Sequence, residues 1–481
     1  MAAFLPKTWW QIDWEIFAMP TVSSLVFGLF IGIISTIIGA LLAVAALISS
    51  RKRLLTAIFA APLFFPSIAT GIAIIHSPLP IPAYSWQLLT LIYLVHGIPI
   101  SFIFHFICIS INFNVLSTTA AALGITPVNA LRKILQPRIK KTLLPASILV
   151  STWVIFDSSA NLVFSGTCQP LAKVFYNSVN IGPVSIFDAI KLSLLIALFS
   201  GLILFRVITA LKMETLLEST HHLPDRYYAK ISRPLAALGI IYGLFLCLIL
   251  VSAMQLFGQN LALQFPSAEL LHTLTTLILV VPLSTMIGFR FSLIRWKHPS
   301  IVRAILVFFS LFSFTSCGMC ASAFLRDTIR VGNLPLIPTL IGTGTLGNGI
   351  LGMILCYLIV CVPIASLILQ LFTRQTAPQV AAAKVLGAPK LRIFVMSVHN
   401  NRHILLAVMG FLSMYIISQT SPAIYLQPTD FQLLAPTLVN LAEAGFDQQA
   451  MLNSLISAAL SICFLGISYV TLTHQRKDSK R

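Results

Sequence analysis

"AAALGITPVNALRKILQP", residues 120–137, interrupts a chain that is otherwise mostly apolar. Gly124 precedes a short segment in which Val128, Leu131 and Leu135 recur at offsets of three, four and seven, which is one face of a helix. Arg132 and Lys133 lie beside that face, and Lys140 and Lys141 follow it. The arrangement returns at 381–398 as "AAAKVLGAPKLRIFVMSV". Ala120, Leu123 and Gly124 align without gaps with Ala383, Leu386 and Gly387. Val128, Leu131 and Leu135 align with Leu391, Phe394 and Val398, flanked by Lys390, Arg392 and Arg402. A glycine at such a point lets the chain turn tightly and lets another backbone approach. A small apolar face with basic flanks either lies on lipid or docks in a protein groove. Two copies favour a partner with two equivalent grooves.

The composition around these segments is that of a membrane protein. Of 481 residues, 57% are hydrophobic and 9% charged, whereas soluble domains carry about 25% charged residues. The apolar runs approach or exceed the roughly 18 residues that span hydrocarbon. The alternating short segments of a membrane β-barrel are absent from the sequence. The expected fold is therefore an all-α polytopic bundle with about eleven spans. They fall near 21–48, 54–75, 86–111, 142–166, 187–211, 235–257, 269–293, 304–325, 345–372, 403–424 and 451–473. Pro62, Pro66, Pro99 and Pro363 fall inside spans, where neighbouring helices can satisfy the freed backbone groups. No basic segment precedes the first apolar run and no cleavage site follows it, so no cleavable signal is expected.

A net charge of +18 invites a nucleic-acid reading. The basic residues, however, stand in short clusters between apolar runs, such as RKR at 51–53, so no nucleic-acid partner is expected. Basic loops face the cytoplasm. With the N-terminus outside and the C-terminus cytoplasmic, the outside regions hold Lys7, Lys173, Lys191, Arg326 and Arg330, and the rest of the 31 Lys and Arg residues fall inside. Most acidic residues fall outside. Six spans separate Gly124 from Gly387, so both face the cytoplasm and the repeat is parallel. Pro99 and Pro363 precede their glycines at nearly the same distance. The first repeat covers 1–211, with its loop at about 113–141. A polar linker covers 212–234. The second repeat covers 235–481, with its loop at about 373–402.

These residues resemble the coupling loop of permease subunits in binding-protein-dependent ABC importers, whose pattern is EAA---G---------I-LP. Ala120, Gly124, Ile134 and Pro137 match in the first copy, and Ala382, Ala383 and Gly387 in the second. The likeness spans both halves and is greatest to fused permeases of the ferric iron and thiamine type. It implies a type I ABC importer permease fold in the inner membrane, a cytoplasmic ABC ATPase dimer docked on the two loops, and a periplasmic solute-binding protein. It also implies that the permease does no chemistry and holds no cofactor, with ATP bound by the partner. The acidic residue of the pattern is replaced by Thr118 and Ala381, and Asn400 stands where the second proline would be.

The rest of the sequence agrees with an external ATPase. No GxxxxGK[ST] phosphate loop is present. "GTGTLGNG" at 342–349 has no lysine and reads as a turn with close helix packing. His221 and His222 lack further ligands at metal spacing, and Cys317 and Cys320 lie in an apolar run, so no metal site is expected. The span after each loop carries a polar run: Asp157, Ser158, Ser159 and Asn161, then Gln419, Thr420 and Ser421. Asp157 is the one acid well inside a span, and an intramembrane charge is costly enough to suggest a translocation path. A structural hydrogen bond explains it equally well. An ion-gradient-driven secondary transporter is the alternative, with Asp157 as its coupling group, but it leaves the repeated loops unexplained.

Overall fold

The computed structural model of the chain describes residues 14–49, 51–110, 113–180, 191–192, 195–196, 198–202, 228–255, 264–294, 350–372, 382–383, 385–427 and 430–478. Those residues form helices and turns and include no strand. Among the described residues six helices are long and apolar enough to cross a membrane, and two bent helix pairs would raise the number to eight. This is an all-α multi-pass architecture. The span expected at 304–325 lies outside the described residues, as do most of 187–211, the linker up to Tyr227, the cysteines at 317 and 320, and the glycine-rich 342–349.

The chain divides into two compact units, Met1–Leu263 with Leu441–Met451, and Gln264–Asn440 with Leu452–Arg481. In the first, α1 (Trp14–Ile48) packs on α4 (Trp86–Ser110) and α6 (Pro127–Phe156). Glycines set these crossings. A Cβ on Gly39 of α1 would lie 2.6 Å from the Ser101 Oγ and 2.8 Å from the Phe102 backbone nitrogen of α4. Small residues permit this approach, and membrane helices associate by such packing because lipid supplies no hydrophobic drive between them.

Between α1 and α4 the chain forms α2 (Lys52–Ala60), a 3₁₀ turn (Ala61–Phe64) and α3 (Ser67–Ile75). The two α-helices are bent by 89°. The cause is Pro66: Phe65, the residue before it, is extended at φ −95° and ψ 136° and cannot continue a helix. The bent pair nevertheless runs antiparallel to α4. Lys52 Nζ lies 5.1 Å over the Phe106 ring, the Phe59 and Phe102 rings are 5.3 Å apart, and Thr70 Oγ1 is 3.0 Å from His96 Nε2. The ten residues from Phe106 back to His96 cover about 15 Å of α4, so α3 lies about that far along α4 from the start of α2.

Pro99 interrupts α4 from within. It has no N–H, so the Val95 carbonyl four residues earlier loses its helical donor. The Tyr242 hydroxyl of α9 (Ala229–Gln255) donates to that oxygen at 3.2 Å. Helix α9 packs on α1, α2 and α3.

The second unit repeats this plan. Helix α10 (Ser267–Ile294) packs on α11 (Ile350–Phe372), and a Cβ on Gly288 would lie 2.7 Å from the Ala365 Cβ and 2.9 Å from the Ser366 backbone nitrogen. Helix α12 (Lys390–Asn400) meets α13 (Arg402–Ser418) at a bend of 70°, and α13 packs on α10 and α11. A second contact also recurs in the two units. In the first unit Ser24 Oγ of α1 accepts from the backbone N–H of Leu171, the first residue of α8 (Leu171–Asn180), at 2.8 Å. In the second, Thr273 Oγ1 of α10 accepts from the N–H of Leu434, the first residue of α15 (Leu434–Glu443), at 3.1 Å. The pairs Gly39/Gly288 and Ser24/Thr273 share one sequence offset, and Leu171/Leu434 share that of Gly124/Gly387. The chain ends in α16 (Asp447–Asp478).

Candidate functional site

Gly124 closes α5 (Phe113–Ala122) and Gly387 closes its counterpart, at φ +70° and +72°. A left-handed residue after a helix lets the next amide reach back to an orphan carbonyl. Ile125 N–H donates to the Ala120 carbonyl at 3.0 Å and Gly124 N–H to that of Ala121 at 3.1 Å. In the second copy Ala388 N–H donates to the Ala383 carbonyl, also at 3.0 Å. Two residues after each glycine the chain is extended again, at Thr126 (φ −63°, ψ 147°) and Pro389 (φ −64°, ψ 150°), and the next helix starts. A Cβ on either glycine would meet nothing within 4 Å, so backbone conformation alone requires glycine.

The apolar face anticipated after each glycine is divided in two. Leu123 and Val128 are exposed, as are Leu386 and Leu391. Farther along, Leu131 and Ile134 pack against the buried core that includes Leu135, Phe113 and Tyr228. Ala120 is buried and Pro137 lies exposed inside α6. In the second copy Ala383, Phe394 and Val398 are half-buried, and the Phe394 ring lies 6.0 Å from that of Phe289. The turn and first helical turn are therefore bare, and the rest is an anchor. Val385, 88% exposed, and Val395 extend the bare surface of the second copy. Arg132, Lys133, Lys140, Lys141, Lys390, Arg392 and Arg402 are exposed around the two segments.

The first copy shows no separate amphipathic helix. Helix α6 runs unbroken from Pro127 to Phe156, joining the loop segment to the span expected from 142. It then breaks. Asp157 is extended (φ −67°, ψ 115°), Ser158 turns, and α7 (Ser159–Phe164) begins. The second copy breaks the same way after α13. Gln419 is extended (φ −90°, ψ 116°), Thr420 turns, and α14 (Ser421–Leu426) begins. The polar runs marked in the sequence are thus paired interruptions of a helix. Asp157 and Gln419 are partly open, whereas Ser158, Ser159, Asn161 and Thr420 are buried.

Asp157 is held on both oxygens. Ser159 Oγ donates to Oδ1 at 2.7 Å, and the Tyr93 hydroxyl and the Ala160 N–H donate to Oδ2 at 3.0 and 3.2 Å. Asn161 Nδ2 covers carbonyls released by the break, those of Asp157 at 2.7 Å and Val154 at 3.2 Å. Ser67, at the start of α3, meets Ser159 at 2.8 Å, which joins the two broken elements of this unit. Trp153 closes the side of the cluster, with its ring 5.5 Å from that of Tyr93. In the second unit the Tyr357 hydroxyl donates to the Gln419 backbone carbonyl at 3.3 Å. Sequence reasoning passed over Tyr93 and Tyr357. The signal was present: they share the offset of Pro99 and Pro363. No group of three or more His, Cys, Asp or Glu residues that could hold a metal occurs among the described residues.

Comparison with protein-family models, with curated proteins and with solved structures returned no match.

Proposed function

We propose that the chain is the transmembrane permease subunit of an ABC importer, carrying a small solute across the inner membrane with ATP hydrolysed by a separate ATPase. The observation that supports this reading best is the duplicated glycine turn, with near-identical φ and a bare apolar residue on either side of each glycine. A soluble partner can bind such a surface by burying it; exposing it to water is otherwise unfavourable. A dimeric ATPase offers two equivalent grooves, and the exposed basic residues beside the turns suit the cytoplasmic face. In this reading the type I bundle holds its N-terminus outside and its C-terminus in the cytoplasm, and a periplasmic solute-binding protein delivers the cargo. The residues assigned to the path are those of the helix breaks, Asp157, Ser158, Ser159 and Asn161 in the first unit and Gln419, Thr420 and Ser421 in the second. ATP-driven closure of the ATPase shifts a two-state equilibrium through the turns. The permease itself does no chemistry and binds no cofactor.

The test is purification of the tagged chain from its native membranes, followed by assay of the eluate for ATP hydrolysis. Hydrolysis should co-elute with the chain and disappear when Gly124 and Gly387 are both changed to Trp, with the bundle still folded by circular dichroism. Solute uptake into ATP-free proteoliposomes driven by an ion gradient alone would overturn the proposal.

A further inference from the structure

The two helix breaks share a backbone but not a set of restraints. Asp157 accepts three hydrogen bonds, one of them from Tyr93 on the neighbouring Pro-kinked helix. Its counterpart Gln419 is an amide whose side chain makes no hydrogen bond among the described residues, and Tyr357 reaches only its backbone oxygen, at 3.3 Å. Hydrogen bonds to a charged acceptor are worth more than those between neutral groups, and the difference grows where water is excluded. In a membrane interior the three donors also supply the solvation that the carboxylate would otherwise lack. Releasing Asp157 exposes an unsolvated charge. Releasing Gln419 breaks one long bond.

We propose that Tyr93 is a positioning residue that, with Asp157, braces the first helix break shut, that Tyr357 is its weaker twin, and that the break at Gln419–Thr420 opens first. The two halves of the bundle then work as a stiff arm and a yielding arm. Asp157 acts as the hub of a brace, because both its oxygens are already engaged by the chain. Sequence spacing gives the proposal a sufficiency test. Ser421 stands two residues after Gln419, as Ser159 stands two after Asp157, whereas Pro422 stands where Ala160 gives its N–H, so Gln419→Asp supplies a carboxylate with a serine and Tyr357 as its donors but without the third, backbone bond.

The experiment is hydrogen–deuterium exchange of the full chain in lipid nanodiscs, read on peptides covering Ser159–Phe164 and Ser421–Leu426. It uses the chain alone, so its outcome is independent of whether an ATPase partner exists. The second peptide should exchange about ten-fold faster than the first, the equivalent of one hydrogen bond to a charged group. Tyr93→Phe should speed exchange in Ser159–Phe164 while leaving the α1 peptides unchanged. Gln419→Asp should slow exchange in Ser421–Leu426, and adding Tyr357→Phe should abolish that slowing. Equal or slower exchange in the second peptide of the unaltered chain would overturn the proposal. So would an unchanged first peptide in Tyr93→Phe, or a Gln419→Asp chain that folds and shows no slowing.

Discussion

Consider adding one methyl group at each of two helix crossings. Gly39→Ala places a Cβ 2.6 Å from the Ser101 Oγ and 2.8 Å from the Phe102 nitrogen, and Gly288→Ala places one 2.7 Å from the Ala365 Cβ and 2.9 Å from the Ser366 nitrogen. In both cases a near atom belongs to the backbone of a packed helix, which cannot swing aside. Relief requires separating α1 from α4, or α10 from α11, and that forfeits dispersion contacts along the seam. Overpacking of this kind costs about 1–3 kcal/mol. Alanine also improves helix propensity over glycine by about 1 kcal/mol, which would mask part of the loss. Gly466, in α16, supplies the control, because a Cβ there meets nothing within 4 Å. The difference between a crossing variant and Gly466→Ala isolates the packing cost. Stability is measured by SDS titration in mixed micelles. In a background whose other tryptophans and cysteines are replaced, Trp153 fluorescence reports the first unit, and thiol labelling of the buried Cys356 and Cys361 reports the second. Both crossing variants should lose about 1–3 kcal/mol relative to the control, with the loss in each read by its own unit's probe. Crossing variants as stable as Gly466→Ala would refute the close approach, and unequal losses well beyond that range would refute the equivalence of the two seams.

The remaining expectations concern turns, caps and the proline kink. Gly124→Ala and Gly387→Ala meet no atom within 4 Å, so global unfolding should be little changed, whereas left-handed strain of about 1–2 kcal/mol should fray each turn and speed amide exchange at Ile125 and Ala388. Ser24→Ala and Thr273→Val each orphan the first amide of a short helix, Leu171 or Leu434, at a cost of about 1–3 kcal/mol when the amide stays buried, measurable by the same titration. Tyr242→Phe removes the donor to the Val95 carbonyl that Pro99 leaves unpaired. It should destabilise by a similar amount, about 1–3 kcal/mol, and combining it with Pro99→Ala should recover part of the loss because an alanine there restores the helical donor.

Hydrophobic length alone located most of the long helices. The runs at 21–48, 86–111 and 269–293 each fall within one helix among the described residues, because twenty apolar residues in lipid have no alternative that satisfies their backbone. Span interiors were less legible. Nothing in the run 142–166 marks a helix end between Phe156 and Ser159, since Asp and Ser tolerate both helical and extended backbone; the break becomes clear only when Asn161 is seen capturing the Asp157 carbonyl and Tyr93 the Asp157 carboxylate. The division of the loop segments was hidden for another reason. Periodicity places Val128, Leu131 and Leu135 on one face but cannot say where along that face the neighbouring helices stop. Pro66 was visible as a proline, and its neighbour's extended backbone follows from sterics, but whether the chain doubles back or continues depends on contacts with α4 that no local rule supplies.

The two matched sets of positions share backbone geometry while differing in side chains, and the differences follow where each residue sits. Gly124 and Gly387 are retained at a left-handed turn where any Cβ is strained. Gly39 and Gly288 are retained where a Cβ strikes backbone. Ser24 and Thr273 differ, yet both carry a hydroxyl that accepts from a helix's first amide. Asp157 and Gln419 share only an extended backbone with a partly open side chain, and there the chemistry has diverged from acid to amide. Positions fixed by helix packing or chain reversal can change only within a narrow steric class, whereas a partly open side chain at a helix break can differ in charge, provided that a charged one finds donors as Asp157 does. A duplicated scaffold with unlike groups at its breaks can bend at both and respond differently at each.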